Sequence, residues 1–209
     1  MSPTQAERSA ATQTALVGAA RRLWGQRGYA TVSTPEIARA AGVTRGAMYH
    51  QYADKTQLFL AVIEAVEADV IEQLGVTVAG AAPKTPAAAL RIAADAWLEI
   101  ASEPEVRQLI LLDAPSVLGW AGFREISLRY GLGMTEQLLD AAIEAGELAP
   151  QPVRPLATVM LGAMDEAAMS IANAEDPERE RDEVGKVVRN LIDGLLVPAA
   201  KGKRSRTAD

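Results

Sequence analysis

The only histidine of the chain, His50, lies in the run Val43-Thr44-Arg45-Gly46-Ala47-Met48-Tyr49-His50-Gln51-Tyr52, which also offers a guanidinium, a threonine hydroxyl and two phenols. These groups suit hydrogen bonding to anions or base edges better than they suit bond breaking. A Ser-His-Asp hydrolase needs its histidine beside an acidic partner. A di-iron bundle needs Glu-x-x-His pairs, and Ala47 occupies the position three before His50. Cysteine is absent, which excludes disulfides and thiolate metal sites. Gly131-Leu132-Gly133 lacks the third glycine and the preceding strand of a dinucleotide loop, and no phosphate-cradling motif is found. No catalytic residue, metal site or cofactor is expected.

The same run makes physical sense as a groove-reading helix. Ile37, Ala41, Val43 and Met48 are placed to fill a small core between helices, leaving Thr44, Arg45, Tyr49 and His50 to face outward toward a DNA major groove. Near the helix start, Arg45 can offer a bidentate fork to guanine O6 and N7, worth about 1 to 3 kcal/mol against a wrong base. Thr44 and Tyr49 suit phosphates or a thymine methyl; the alternative for Tyr49 is a half-buried packing role. Lys55 falls in the first turn of the next helix, where a cation opposes the helix dipole. A DNA phosphate at that helix end would reverse the conflict, the alternative being an ordinary solvated lysine.

Helical signals surround the run. Leu16, Ala19, Ala20, Leu23 and Trp24 recur at helical spacing up to Gly28. Ser33 and Glu36 form a capping-box pair with Pro35 in the first turn, predicting a short helix through Ala41. Gly42 can stop it and Thr44 can cap the next, which is the helix-turn-helix plan. Asp54 and Gln57 begin a fourth helix reaching about Val78. After a Gly/Ala/Pro-rich loop over 80–86, helical patterns resume around 90–100, 106–112, 123–145, 156–174 and 184–197. Pro104, Pro115, the stretch 119–122, the stretch 150–155 and Pro177 divide them. The fold class expected is all-α: an N-terminal three-helix helix-turn-helix domain on a larger C-terminal helical ligand-binding and dimerisation domain.

Gly28-Tyr29, Ser33, Ile37-Ala38, Ala41-Gly42-Val43, Gly46, Met48-Tyr49, Tyr52, Lys55 and Leu58-Phe59 all fall at the spacing of one known family, and over roughly residues 12 to 70 the chain resembles TetR (tetracycline-repressor-like) regulators. The resemblance implies phosphate contact at Lys55. Ser33, Thr34, Gly46 and Ala47 complete the expected DNA-contacting set with Thr44, Arg45, Tyr49, His50 and Lys55. It further implies a homodimer on a pseudo-palindromic double-stranded DNA operator, repressing until a small-molecule inducer binds. Control by a protein partner, or no ligand at all, is the alternative. The divisions expected are 11–71 for DNA binding, 72–198 for regulation and dimerisation, and 199–209 as a disordered basic tail.

Charge is partitioned in the same sense. Although the whole chain carries a net −6, residues 1–59 hold seven Lys/Arg against three Asp/Glu and residues 60–209 hold fourteen against twenty-four. DNA affinity depends on local rather than total charge, so a basic head on an acidic body fits DNA binding; a chance fluctuation is the alternative. No signal peptide precedes the first helix and no apolar run is long enough to span a membrane, so a cytoplasmic protein with no membrane partner is expected.

In the body, Val184, Val187, Val188, Leu191, Ile192, Leu195 and Leu196 form one apolar stripe, and Leu156, Val159, Met160, Ala163, Ala167 and Ile171 another. They would form a dimer seam or pack on their own subunit. Trp97, Trp120, Phe123, Met134 and Met164 are candidate pocket residues, with core filling as the alternative. Arg107, Asp113, Arg124 and Asp165 gain meaning if buried, because buried charges need partners.

Overall fold

The computed structural model describes residues 4–197 and is all-α over them. The expected basic tail lies outside the described residues. Helix α1 (Gln5–Arg27) opens with a reciprocal capping box between Thr4 and Glu7 and stops at Gly28, whose φ of 76° and ψ of 156° belong to a region open only to glycine. Helices α2 (Thr34–Ala40) and α3 (Arg45–Gln51) are joined through Gly42 at φ 69°. The Thr44 hydroxyl caps α3 by accepting from the Ala47 amide at 3.1 Å. Helix α4 (Lys55–Gly80) is capped by Asp54, which accepts from the Gln57 amide at 2.8 Å.

One expected cap is absent. Ser33 occupies the N-cap of α2, but its hydroxyl makes no cap bond, and the Glu36 carboxylate is engaged by Arg27 at 2.5 Å. The Glu36 carboxylate is thus divided between the Arg27 guanidinium at the end of α1 and the Ser33 backbone, and the hydroxyl half of the box is missing.

The body contains α5 (Pro86–Ala101), the one-turn α6 (Pro104–Val106), a π-helical segment from Arg107 to Asp113, α7 (Ala114–Glu144), α8 (Val153–Asn173) and α9 (Pro177–Leu195). Pro115 does not divide helices as expected. The Ala114 amide reaches back five residues to the Leu109 carbonyl, and this wide turn accommodates a proline that would collide with a carbonyl in a regular α-turn. The true break is Gly119, at φ 71° and ψ 165°. Helix α9 begins seven residues before the expected Val184, because Asp176 caps the Arg179 amide and Glu178 and Glu180 favour the positive helix end. Apolar periodicity is blind to that charged turn.

Two hydrophobic clusters organise the molecule. The first joins Leu16, Trp24, Ile37, Met48 and Phe59 to Ile110, Phe123 and Ile126, so the head shares a core with the first half of the body. The second lies among α5, α7, α8 and α9 around Leu98, Leu139, Ile171 and Ile192. A division at residue 71 falls inside α4, whose Val70 and Leu74 both belong to the first cluster. The stripes on α8 and α9 split between two duties. Val188 and Ile192 face the subunit core, while Val187 and Leu191 on α9 and Val159 on α8 lie 58%, 58% and 69% exposed.

Gly28 is the most constrained backbone position at the junction of head and body. A Cβ there would meet the Gln108 side-chain nitrogen at 3.1 Å in addition to the forbidden φ. Gly28→Ala is therefore expected to destabilise the fold by about 1 to 3 kcal/mol, measurable as a lowered urea midpoint with an unchanged slope.

Candidate nucleic-acid interface and internal cavity

Helix α3 turns its single buried residue, Met48, into the head core. On the other side Thr44, Arg45, Gly46, Tyr49 and His50 are exposed, with Ala47 half-buried between the two. The face is pre-shaped. Tyr49 and Thr34 share a hydroxyl hydrogen bond of 3.1 Å, and the Arg45 guanidinium carbon lies 5.5 Å from the centre of the Tyr49 ring. The bond to Thr34 and the nearby arginine draw the Tyr49 phenol below its ordinary value. This contact ties α3 to the start of α2, where Ser33 is exposed and Thr34 half-buried.

Most arginines of the described residues are paired with carboxylates, but no carboxylate is within ion-pair distance of Arg45 or Arg39. Arg39 is exposed in the last turn of α2, opposite the buried Ile37 and Ala38. Sequence reasoning passed over Arg39; its signal was a cation flanking the buried pair of a short helix.

Lys55 is placed differently from a solvated lysine. Its ammonium donates to the Tyr29 carbonyl at 2.5 Å and stands 4.0 Å from the centre of the Tyr29 ring. Partial burial lowers its pKa, and the Asp113 carboxylate opposes that shift. The Asp113 carboxylate in turn accepts from the Tyr29 amide at 2.8 Å. The ring of Tyr29 completes a cluster with Trp24 and Phe59, at centroid distances of 5.4 and 4.9 Å. The dipole conflict at Lys55 is thus relieved from within the protein, by a carbonyl, a π face and a nearby acid.

A cavity of about 100 Å³ opens between α4, α5, α7 and α8. Trp97, Met134 and Met164 line it, together with Met160 and Leu161. Trp120 and Phe123 do not. The kink at Gly119 leaves Trp120 58% exposed, while Phe123 is buried in the core shared with the head. At the polar end of the cavity stand Glu67, Ser127 and Asp165. Asp165 accepts from Arg124 at 2.9 Å and from the Ser127 hydroxyl at 2.7 Å, so two of the flagged charges partner one another. Burial raises the Asp165 carboxyl, and those two partners counter the rise. Arg107 instead donates to the Ala172 carbonyl, and Asp113 serves the junction.

Glu67 was not anticipated. Burial, with Asp165 as a nearby like charge, pushes its carboxyl up to about 7 from an ordinary 4.5. Among the described residues it has no hydrogen-bond partner. The folded chain therefore keeps a proton on Glu67 that the unfolded chain loses near 4.5. The stability this provides is complete below that pH and is lost as pH rises through about 7. The shift corresponds to roughly 3 kcal/mol. Glu67→Gln is expected to be more stable than the parent at about pH 8, with the gap closing toward about pH 5; denaturant midpoints at the two pH values check this.

Comparison with known proteins gives a consistent picture. Residues 16–62 match the family model described as bacterial regulatory proteins, tetR family, and residues 87–195 match that of the tetracyclin repressor-like C-terminal domain. The Transposon Tn10 TetC protein of Escherichia coli is 24% identical over 192 residues, spanning 90% of this chain and 94% of that protein. A solved TetR-family transcriptional regulator from Pectobacterium atrosepticum is 32% identical with a TM-score of 0.83, over 94% of this chain and 99% of its own. RolR, solved in complex with resorcinol, shares the fold at 18% identity and a TM-score of 0.70, over 93% of this chain and 98% of its own.

Proposed function

Because the chain belongs to the TetR family of bacterial regulatory proteins and is a DNA-binding transcription regulator, we propose that it acts as a cytoplasmic homodimeric repressor released from a pseudo-palindromic operator by a small molecule. The observation that carries the DNA-reading part is the exposed face of α3, where Arg45 has no carboxylate partner and Tyr49 is braced by Thr34. Arg45 reads a base edge and Thr44 and Tyr49 meet the backbone, with Gly46 and Ala47 allowing close approach and His50, Ser33 and Thr34 at the margin of the footprint. Arg39 adds a phosphate contact. Lys55 serves the phosphate as well as the Tyr29 carbonyl, since an ammonium carries three donors. The exposed Val159, Val187 and Leu191 supply the apolar seam on which two copies meet.

Release follows from the length of α4. Leu58 and Phe59 at its start belong to the head core, and Glu67, Val70, Ile71 and Leu74 further along line the cavity. A molecule that fits the cavity better when α4 is displaced stabilises a spacing of the two heads that no longer matches adjacent half-sites.

Arg45→Ala is expected to flatten base preference at one position in each half-site, at about 1 to 3 kcal/mol. Lys55→Ala is expected to weaken binding to every sequence and to reduce the salt slope by about one. Since Lys55 also braces Tyr29, that variant should melt lower too. Affinities for single-base operator variants at several salt concentrations separate the two; a uniform loss from both would refute the division of roles. For release, operator affinity should drop in the presence of any cavity binder found by thermal shift. Binders that leave operator affinity unchanged would refute it.

A further inference from the structure

Glu67 is a buried carboxyl with no hydrogen-bond partner among the described residues, in the wall of a mostly apolar cavity whose other polar lining residues are Ser127, Thr135 and Asp165. The charged and titratable groups around it come from three elements. From α8, Asp165 presents a second carboxylate, already satisfied by Arg124 and Ser127 of α7. The Arg124 guanidinium is further spent on the Thr158 carbonyl at 2.6 Å. The Tyr130 phenol of α7 is pushed upward by burial first, then by Glu64 and, least, by Glu67, with Arg129 opposing. On α4 itself, Glu64 is tied to Arg129 at 2.6 Å. On α5 the Trp97 indole N–H is committed to the Met164 carbonyl at 3.2 Å, which leaves its ring to the cavity. The Arg124 guanidinium thus serves Asp165, and Glu67 is left without a cationic partner among the described residues. With Glu67 ionised, the cluster carries an uncompensated negative charge in an apolar wall, which is costly unless a proton or a cation arrives.

We propose that this cavity receives an apolar molecule bearing one protonated amine, its ammonium lodged against the Glu67 carboxylate. The proposal rests on the reading of the cavity as the inducer site and names the chemistry of the inducer. An ammonium brings hydrogen-bond donors to a carboxylate that has none and cancels the excess charge. The Trp97 ring attracts a cation, and Met134, Met160 and Met164 adapt their flexible thioethers to the hydrocarbon part. A volume of about 100 Å³ restricts the guest to a small molecule, on the order of a single ring. Binding is coupled to pH. The cation needs Glu67 ionised, so its capture expels a proton from the fraction that carries one.

The test uses the full-length protein and three probes of matched size: phenethylamine, 2-phenylethanol and phenylacetate, followed by calorimetry at about pH 6 and about pH 8. The amine is expected to bind at least about tenfold more tightly than the alcohol at the higher pH, with phenylacetate the weakest. Its affinity should rise about tenfold between the two pH values, with proton release visible as a dependence on buffer ionisation enthalpy. Glu67→Gln should abolish both the amine preference and the pH dependence while retaining binding of the alcohol, which also shows that the variant is folded. Equal, pH-independent binding of amine and alcohol, with operator release by both, would overturn the ammonium assignment and leave the inducer site standing. Amine binding unchanged in Glu67→Gln would overturn it as well. No binding of any of the three would overturn both the assignment and the inducer reading.

Discussion

The peptide at Tyr29 is gripped from both ends. Its amide donates to Asp113 from the π segment of the body, and its carbonyl accepts from Lys55 at the start of α4. Its ring meanwhile sits between Trp24 and Phe59. This grip is possible only because Gly28 adopts a backbone conformation closed to other residues and lets the side chains of Gln108 and Asp113 come near. Helices α2 and α3, at seven residues each, are too short to persist on their own. Their placement depends on α1 and α4, and the placement of those two depends on the junction at Gly28 and Tyr29. A second tie lies beside it, where Arg21 of α1 donates to Glu105 at 2.7 Å and also pairs with Asp69 of α4.

The junction makes the head part of the body rather than a domain on a tether. The apolar cluster runs from Leu16 and Met48 through Phe59 to Ile110 and Phe123 without interruption. Close-packed interiors shift between discrete arrangements rather than deforming smoothly. Under the proposed function, a change in the cavity wall along α4 would be passed through this shared core toward Lys55, Tyr29 and the base of α3. Charge follows the same plan, since the acids of residues 1–59 pair Arg27 (Glu36) or cap helices (Glu7 and Asp54). That leaves Arg39 and Arg45 available on the outer face.

Local signals made the head legible in the sequence. Gly28, Gly42, Thr44 and Asp54 act through backbone conformation or a cap three residues away, so their effect is set by immediate neighbours. The body was legible in its elements and much less in its directions. Pro115 reads as a break until the π turn before it is known, and that turn depends on packing against distant helices. Trp120 and Phe123 look alike in a pattern of apolar spacing, yet the kink at Gly119 sends one to solvent and the other to the core. Periodicity likewise merges Val187 and Val188 into one stripe although the first is exposed and the second buried. Glu67 sits unremarked between Val66 and Ala68, because its burial is created by α7 and α8 closing over α4. Arg124 and Asp165 were recognisable as charges in need of partners, and only the fold showed that they satisfy one another.

In the proposed function two copies of this chain read DNA together through α3. Selection of bound duplexes from a random pool should then enrich a pseudo-palindrome whose half-sites lie one or more helical turns apart, with a guanine whose preference disappears in Arg45→Ala. Enrichment of a single unpaired half-site, or no enrichment above the starting pool, would contradict it.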